Sequence, residues 1–244
     1  MKLSFVIPAY NEEKNIGPCL EAIFKEIGGK KHDLEIIVVN NASTDKTKEV
    51  AGRFAGVKVV DEKKKGLSAA RHAGFLASSG DLIANIDADT LLTPGWIEKV
   101  LKAFSANKNL VAFSGPYIYH DLSLMVNIGV RLFYYAGYAG YLANRFVLNK
   151  SSMLQGGNFI VRKSALEKIG GYNLEFDFYG EDTDIARRLH EVGEVVFTFN
   201  LPMYTSGRRL AKEGIVTMGI RYGINHFWTI FFKKPFTKKF IDIR

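Results

Sequence analysis

Short apolar runs alternate with segments of helical periodicity in the N-terminal part of the chain, and this alternation restricts the fold more than any other feature. Apolar runs at residues 3–8, 34–39, 57–60 and 81–86 read as strands, and residues 15–27 have the spacing of an amphipathic helix. Apolar strands separated by amphipathic helices form parallel sheets that are covered on both faces. The pattern therefore predicts an α/β fold with a mostly parallel central sheet and flanking helices.

Polar residues follow each of these predicted strands directly. In open α/β sheets, ligands bind outside the carboxyl ends of the strands, where such residues meet at one edge. We therefore expect a ligand site built from four groups: Pro8 to Glu12, Asn40 with Asn41, Asp61 with Glu62, and Asp87 with Asp89.

The second half of the chain is less regular. Residues 111–119, 158–161 and 195–199 read as strands, and residues 122–147 and 181–191 read as helices. An aromatic-rich, helix-like segment follows from Arg209 onward.

The formal net charge of +8 suits three kinds of anionic partner: nucleic acid, anionic lipid or a diphosphate. Basic residues cluster at 63–65, 208–212 and 233–239, and a single cysteine, Cys19, excludes an intrachain disulfide.

We find no secretory signal, and the longest uncharged run, residues 132–144, is shorter than the roughly 20 apolar residues that span a bilayer. We therefore expect a cytoplasmic protein.

Asp87-Ala88-Asp89 follows an apolar strand, and alternation along an extended chain sends both carboxylates to the same side. Mg²⁺ is often held by one or two carboxylates together with substrate phosphates. The motif indicates a metal site, and a turn with two solvated aspartates is the structural alternative.

Three further segments are candidates for chemistry. The segment Glu181-Asp182-Thr183-Asp184 begins a predicted helix, where its acidic residues either partner the helix dipole or supply a general base beside a cleft. Gly156-Gly157-Asn158 precedes a strand, and glycines allow close approach of backbone to a ligand. Gly66 opens a helix whose free amides, with Arg71, suit a phosphate; the alternative is an ordinary helix start with a surface arginine.

Taken in this order, the segments resemble the motifs of the family-2 inverting glycosyltransferases of GT-A fold. The resemblance covers roughly residues 3–210 and rests on Val6 to Glu13, Val38 to Asp45, Gly66 to Gly74, Asp87-Ala88-Asp89, Gly156-Gly157-Asn158 and Gly180-Glu181-Asp182. It implies a Rossmann-like GT-A domain over residues 1–207, with a nucleotide-sugar-binding half (1–110) and an acceptor-binding half (111–207). Residues 208–244 would form a basic, aromatic helical extension.

The resemblance also implies a reaction, in which a sugar moves from a nucleotide-diphosphate sugar to an acceptor hydroxyl with inversion. Asp182 would be the catalytic base, and Mg²⁺ or Mn²⁺ would bind Asp89 with Asp87 close by. Arg71 would face the phosphates. The other substrate contacts are expected at Pro8, Ala9, Tyr10, Glu12, Asn40, Gly156, Gly157, Asn158, Glu181 and Arg208.

The chain departs from the family pattern at three positions. Asn40 stands where an aspartate usually reads the base, and because an asparagine both donates and accepts, uracil, guanine and thymine donors all stay open. His72 replaces a frequent asparagine. Arg208 lies in a segment where many relatives place a metal-binding histidine. Metal ligation then rests on Asp89 and phosphate oxygens, or Arg208 stabilises the leaving group in part.

The aromatic segments 122–147 and 215–232 read either as core helices or as helices that contact a membrane or a lipid-linked acceptor. Aromatic residues ahead of Lys233-Lys234 suit an interfacial helix. We expect peripheral binding to an anionic membrane surface, at its cytoplasmic face, and a glycan or lipid-linked acceptor.

Other functions fit the sequence less well. A nicotinamide-dependent dehydrogenase would carry Gly-x-Gly-x-x-Gly after the first strand, where this chain has Pro8 to Glu12. A phosphate loop of the kinase and ATPase type is absent from the sequence, and so is a nucleic-acid recognition motif. The main rival is a catalytically silent module that binds a nucleotide sugar or a lipid, and the acidic residues Asp87, Asp89 and Asp182 argue against it.

Overall fold

The computed structural model describes residues 1–143 and 152–237. Within these residues the strands are β1 (Leu3–Ala9), β2 (Leu34–Asn41), β3 (Val57–Glu62), β4 (Leu82–Ile86), β5 (Thr90–Leu92), β6 (Leu110–Ser114), β7 (Tyr117–Tyr119), β8 (Asn158–Arg162), β9 (Glu194–Phe197) and β10 (Met203–Thr205). The helices are α1 (Ile16–Ile27), α2 (Thr47–Gly52), α3 (Leu67–Ala77), α4 (Trp96–Ala106), α5 (Leu124–Ala143), α6 (Lys163–Lys168), α7 (Glu181–His190), α8 (Arg208–Glu213) and α9 (Ile215–Phe232).

The central layer of the described chain is a seven-stranded sheet in the order β3-β2-β1-β4-β8-β6-β9. Its strands pair in parallel except β8, which runs antiparallel to both β4 and β6. A small second sheet, β5-β10-β7, lies beside it. The prediction of an α/β fold with a mostly parallel central sheet is confirmed.

Helices cover both faces of the central sheet, as continuously apolar strands require. Alternate residues of β1 point to opposite sides. Phe5 and Ile7 join the core under α1, α2 and α4, whereas Val6 joins the core under α3, α6 and α7. Gly74 lets α3 approach β1 closely, because a Cβ atom there would overlap Val6.

Two local predictions are wrong. The strand expected at 111–119 is divided into β6 and β7, which belong to different sheets. At the break, a Cβ atom on Gly115 would overlap the carbonyl group of Leu201, so the backbones cross there too closely for a continuous strand. The sequence Thr93-Pro94 predicts a helix with Thr93 as its cap and Pro94 at its first position. Helix α4 instead begins at Trp96, and Thr93 donates its hydroxyl to the Pro202 carbonyl rather than capping the helix.

Beyond the second sheet, α9 packs against α7, α8 and α5. These helices stand over the carboxyl edge of the central sheet and contribute residues to the cavity described below. The division of the chain at residues 110 and 207 remains a prediction. Residues 144–147 of the predicted helix, and Lys238 and Lys239 of the predicted tail, lie outside the described residues.

The opposite edge of the sheet is held by Glu35 of β2, which accepts hydrogen bonds from a residue of β1 and from two residues that precede β4. Its Oε1 accepts from the Ser4 hydroxyl, from the Ser79 amide at 2.6 Å and from the Gly80 amide at 3.1 Å. Burial raises the pKa of Glu35, but these hydrogen bonds outweigh burial and lower the pKa to about 2.

We therefore expect Glu35→Gln to lower the free energy of unfolding by about 1 kcal/mol at neutral pH. A carboxylate whose pKa is lowered by folding stabilises the fold above its unfolded value, and that stability is lost as the pH falls through the folded value. The difference between wild type and variant should thus shrink between pH 4.5 and about 2 in urea unfolding. Glu21→Gln, on the exposed side of α1, is the control. A difference that does not change with pH would contradict the assignment.

Candidate active site

A cavity of about 790 Å³ lies at the carboxyl edge of the central sheet, below α5, α8 and α9. It brings together most of the site residues predicted from the sequence. Those that line it are Pro8, Ala9, Tyr10, Glu12, Arg71, Asp87, Asp89, Gly156, Glu181, Asp182 and Arg208. Asn40, Gly157 and Asn158 do not line it.

Asp87 directly follows β4, and both of its carboxylate oxygens accept hydrogen bonds from the protein. Oδ1 accepts from Nη2 of Arg71 at 3.0 Å, and Oδ2 accepts from the Tyr117 hydroxyl at 3.1 Å. The same hydroxyl lies 2.5 Å from the carbonyl oxygen of Gly156. These contacts fix the orientation of the Asp87 side chain.

The turn Gly156-Gly157 brings the β4 carboxylate and the α7 carboxylates together. Gly157 has φ +77°, and a Cβ atom there would overlap Asp87 and Tyr117. A Cβ atom on Gly156 would lie 3.2 Å from Oε1 of Glu181 and 3.5 Å from Oδ2 of Asp182. Asp87 and Asp182, far apart in sequence, therefore lie against the same two-residue turn.

Arg71 of α3 joins the two sides of this turn. Its side chain is fully buried; Nη1 pairs with Oε1 of Glu181 and Nη2 pairs with Oδ1 of Asp87. Burial opposes the charge, but Glu181 and Asp87 more than compensate and raise the pKa of Arg71. The guanidinium that we expected to face phosphates thus holds two carboxylates.

Asp182 lies in the first turn of α7, and its two oxygens have different surroundings. Oδ1 accepts the backbone amide of Thr183 at 2.8 Å. Of the two Asp182 oxygens, Oδ2 lies nearer to Gly156. The carboxylate is therefore held by one oxygen and presents the other toward the glycine turn.

Asp89 lies beside Arg208, the first residue of α8. Nη2 of Arg208 is 3.0 Å from Oδ2 of Asp89 and 2.5 Å from Oε1 of Glu12. Burial raises the pKa of Asp89 to about 7, since the attraction of Arg208 is opposed by the nearby charges of Asp87 and Glu12. Three carboxylates therefore share one partly buried region with one arginine.

The residues around Asp89 fit a hard divalent cation in chemical type. Carboxylate oxygens are the ligands that Mg²⁺ and Mn²⁺ favour, and crowded carboxylates are stabilised by a cation. Within residues 1–143 and 152–237, no set of three histidine, cysteine or acidic side chains is arranged to hold a metal by itself. Ligands from a bound phosphate would be needed to complete such a site.

Asn40 does not occupy the place expected of it. Its Nδ2 donates to Oδ1 of Asp61 at 2.9 Å, and the side chain is not part of the cavity lining. Its neighbour Asn41 lines the cavity and holds the following loop, accepting the Gly66 amide at 2.9 Å and donating to the Lys64 carbonyl at 2.7 Å. The structure therefore favours Asn41 over Asn40 as a cavity residue.

The Asn158 side chain is likewise held by hydrogen bonds within the protein. Its Oδ1 accepts from the indole nitrogen of Trp96 at 3.3 Å, and its Nδ2 donates to the carbonyls of Gly115 and Leu201, each at 3.0 Å. The side chain is fully buried and ties β8 to the crossing between the two sheets. These bonds occupy the amide, so the expected substrate contact of Asn158 is not supported by its position.

Comparison with known proteins agrees with this geometry. The family model described as "Glycosyl transferase family 2" matches residues 4–170, and a second, "N-terminal domain of galactosyltransferase", matches residues 144–208. The chain belongs to glycosyl transferase family 2.

Relatives within the family include bacterial and archaeal proteins. The chain is 30% identical to the probable glycosyltransferase YdaM of Bacillus subtilis over 79% of its own length and 47% of that protein. It is 28% identical to the glycosyltransferase AglE of Haloferax volcanii over 78% of its length and 62% of that protein. The chain thus spans about half to three fifths of these relatives.

Solved structures of other transferases share the GT-A fold. A mannosyltransferase of Pyrobaculum calidifontis, in complex with GDP-mannose and Mn²⁺, superposes with a TM-score of 0.68 at 19% identity, covering 95% of this chain and 63% of that one. A glucosyl-3-phosphoglycerate synthase of Mycobacterium tuberculosis, with Mn²⁺ and UDP-glucose, superposes at 0.63, with 19% identity, covering 94% and 79%. The predicted GT-A fold is confirmed.

The cavity also contains residues that the motifs do not mark. Tyr117, Lys65 and Thr183 line it near the carboxylates, and Lys65 stands 3.8 Å from the centre of the Tyr10 ring. Farther from the sheet it is lined by side chains of α5 and α9: Phe133, Tyr134, Tyr141, Tyr222, His226, Phe227 and Phe231. The aromatic richness of the two segments was visible in the sequence, but their meeting over the cavity was not.

The outer surfaces of α5 and α9 are strongly apolar. The most exposed of these side chains are Leu124 (75%), Met125 (77%) and Val216 (73%). No helix among the described residues is both long enough and apolar enough to cross a membrane.

We expect Arg71→Lys to destabilise the protein by about 3 kcal/mol in urea unfolding. A single ammonium cannot reproduce the fork that pairs with Glu181 and Asp87, so one carboxylate would stay buried without its partner. Arg53→Lys, on an exposed arginine after α2, is the matched control and should change stability by less than about 0.5 kcal/mol. Equal stabilities of the Arg71 and Arg53 variants would contradict the role of the buried pair.

Proposed function

We propose that this family 2 glycosyltransferase transfers a sugar from a nucleotide-diphosphate sugar to an acceptor hydroxyl in one inverting displacement. The observation that carries the proposal is the common position of Asp87 and Asp182 against Gly156-Gly157, in a cavity that Asp89 also lines. A donor diphosphate near Asp89 and an acceptor near Asp182 would then meet at this turn.

Asp182 is the general base in this reaction. Its Oδ1 is held by the Thr183 amide, so Oδ2, the oxygen toward Gly156, receives the proton of the acceptor hydroxyl. The acceptor oxygen attacks the anomeric carbon as that proton leaves, and the bond to the diphosphate breaks with its electron pair on the phosphate oxygen. General base catalysis of this type contributes typically about 10²–10⁴ in rate.

The leaving diphosphate is stabilised on the other side of the cavity. Asp89, with Asp87 close by, would hold a Mg²⁺ or Mn²⁺ ion together with phosphate oxygens, and that ion would neutralise charge on the departing group. Arg208 pairs with Asp89 and Glu12, and the diphosphate of a bound nucleotide sugar would offer its guanidinium a third anionic partner. Arg71 keeps Asp87 oriented from behind.

The nucleoside is bound at the carboxyl end of β1. Pro8, Ala9 and Tyr10 form the wall of the cavity there, with Glu12 at its inner end. Asn41 shapes the opposite loop and Lys65 covers one face of Tyr10. Because Asn40 is turned to Asp61, the base is read by this wall and loop rather than by the Asn40 side chain.

The acceptor is lipid-linked in this proposal. The part of the cavity beyond Asp182 lies between α5 and α9 and is lined by Phe133, Tyr134, Phe227 and Phe231, which suit a hydrocarbon chain better than a free glycan. The apolar outer surfaces of the same helices would rest on the membrane that contains such an acceptor.

Donor binding and transfer should be separable by mutation. Asp182→Asn removes the base and not the diphosphate site, so it should keep binding the donor but lose transfer by a factor on the order of 10² or more. Asp89→Ala should weaken Mn²⁺-dependent donor binding. The measurement is thermal shift with Mn²⁺ against UDP, GDP and dTDP, since a ligand of the folded state raises Tm, followed by assays of nucleoside diphosphate release.

The same experiment tests the rival function. A silent binding module predicts a nucleotide-induced rise in Tm without release of nucleoside diphosphate by any form of the protein. Near-normal turnover by Asp182→Asn would remove this residue from the role of base. Asp33→Asn, on an exposed residue before β2 and outside the cavity lining, controls for the loss of an acidic group.

Membrane association should depend on the basic end of α9. We expect the protein to sediment with vesicles of phosphatidylcholine and phosphatidylglycerol at low salt, and less at high salt, because each lysine near an anionic surface contributes about 1 kcal/mol. Lys233→Glu with Lys234→Glu should weaken binding about tenfold or more. Lys102→Glu with Lys108→Glu, an equal charge change on exposed residues at α4, should have less effect. Protein that stays wholly in the supernatant at low salt would refute the membrane surface.

A further inference from the structure

A histidine of α9 approaches Asp182 through one hydroxyl group. Nδ1 of His226 lies 3.1 Å from Oγ1 of Thr183. The Thr183 amide donates to Oδ1 of Asp182 at 2.8 Å, and the Thr183 hydroxyl lies 3.4 Å from the same oxygen. His226, Thr183 and Asp182 thus form a chain that connects α9 with the start of α7.

This chain belongs to the cavity rather than to the protein surface. All three residues line the cavity, and Thr183 is 6% exposed. Among the described residues, Nε2 of His226 has no hydrogen-bond partner, so the contact with Thr183 is what orients the ring. His226 also lies outside residues 4–170, which the family model covers, and its position therefore follows from this chain's own C-terminal helix.

The charge of His226 is coupled to Asp182. Burial lowers the pKa of His226, and the negative charge of Asp182 partly opposes that shift. Charged groups on α9 and on the helices packed against it have partners of their own: Glu181 pairs with Arg71, Asp184 with Arg187 and Arg188, Arg208 with Asp89 and Glu12, and both Arg209 and Arg221 with Glu213. Arg131 of α5 lies over the ring of Tyr135. The imidazole is therefore neutral at neutral pH and gains its charge next to Asp182 on acidification.

We propose that His226 is a positioning residue for the catalytic base, acting through the hydroxyl of Thr183. A neutral His226 that donates from Nδ1 to Oγ1 turns the Thr183 proton toward Oδ1 of Asp182. Two donors then hold Oδ1, and Oδ2 stays directed at the acceptor. The proton taken in the reaction goes from the acceptor hydroxyl to Oδ2, and none passes to His226.

The proposal has a consequence at acid pH, and it rests on the proposed role of Asp182. Protonation of His226 places a positive charge beside Asp182, which weakens that carboxylate as a base. Part of the loss of activity on acidification should therefore come from His226, and a variant without this imidazole should lack that part.

The first test is direct observation of the imidazole by NMR, with ¹⁵N-histidine and His226→Gln to assign the signal. We expect the Nδ1–H tautomer in the wild type, loss of that preference in Thr183→Val, and a lower pKa of His226 in Asp182→Asn, because the carboxylate charge is gone. A His226 pKa that does not differ between wild type and Asp182→Asn would overturn the coupling. This readout needs neither donor nor acceptor.

The second test is hydrolysis of UDP-glucose or GDP-mannose with Mn²⁺, in which water replaces the acceptor. Thr183→Val should lower kcat about tenfold with KM for the donor unchanged, and Thr183→Ser should restore it. His226→Gln should remove the contribution of His226 to the acid limb of the pH–kcat profile, so that the limb becomes less steep than in the wild type. The two substitutions should be non-additive, as expected for residues that act in one chain.

His190→Gln is the matched control, since His190 lies on α7 but not on the cavity, and it should behave as wild type. Wild-type kcat and an unchanged acid limb in His226→Gln would refute this inference. If Asp182→Asn keeps full hydrolysis, the proposed base itself fails. If Asp182→Asn is inactive while His226→Gln is normal, the inference about His226 fails alone.

Discussion

The arrangement of the site depends on a fully buried arginine between two carboxylates. Arg71 pairs with Asp87 after β4 and with Glu181 at the start of α7, so two distant segments that line the cavity are fixed to one guanidinium. A buried charge is costly unless it is paired, and removal of one partner leaves the others uncompensated. The two ion pairs therefore fix the end of β4 relative to the start of α7, where Asp182 follows Glu181.

The backbone of the Gly156-Gly157 turn also positions the carboxylates. Gly157, at φ +77°, allows the chain to pass against Asp87 and Tyr117, and Gly156 passes against Asp182. The turn between the carboxylates is thus made of residues without side chains, which lets Asp87, Tyr117 and Asp182 pack directly against its backbone. Asp89 lines the same cavity and pairs with Arg208, so the helical C-terminal segment contributes to the site.

Much of this could be predicted from local sequence, and the exceptions have physical reasons. The central strands and the acidic motifs were recognisable because apolar runs and strand ends are local features. Sequence could not decide between Asn40 and Asn41, because β2 continues through both and a shift of one residue exchanges the faces of a strand. The partners of Arg71 and the contact of His226 with Thr183 depend on segments far away in the chain, and no local pattern reports them. The three-residue strands β5 and β10 are too short to show a period.

The central claim is a single displacement in which Asp182 activates the acceptor on the face of the sugar opposite the diphosphate. It is tested most directly by the configuration of the first sugar released when the protein hydrolyses an α-linked donor such as UDP-glucose or GDP-mannose, followed by ¹H NMR before the anomers equilibrate. The account predicts the β-anomer. Initial release of the α-anomer would contradict it.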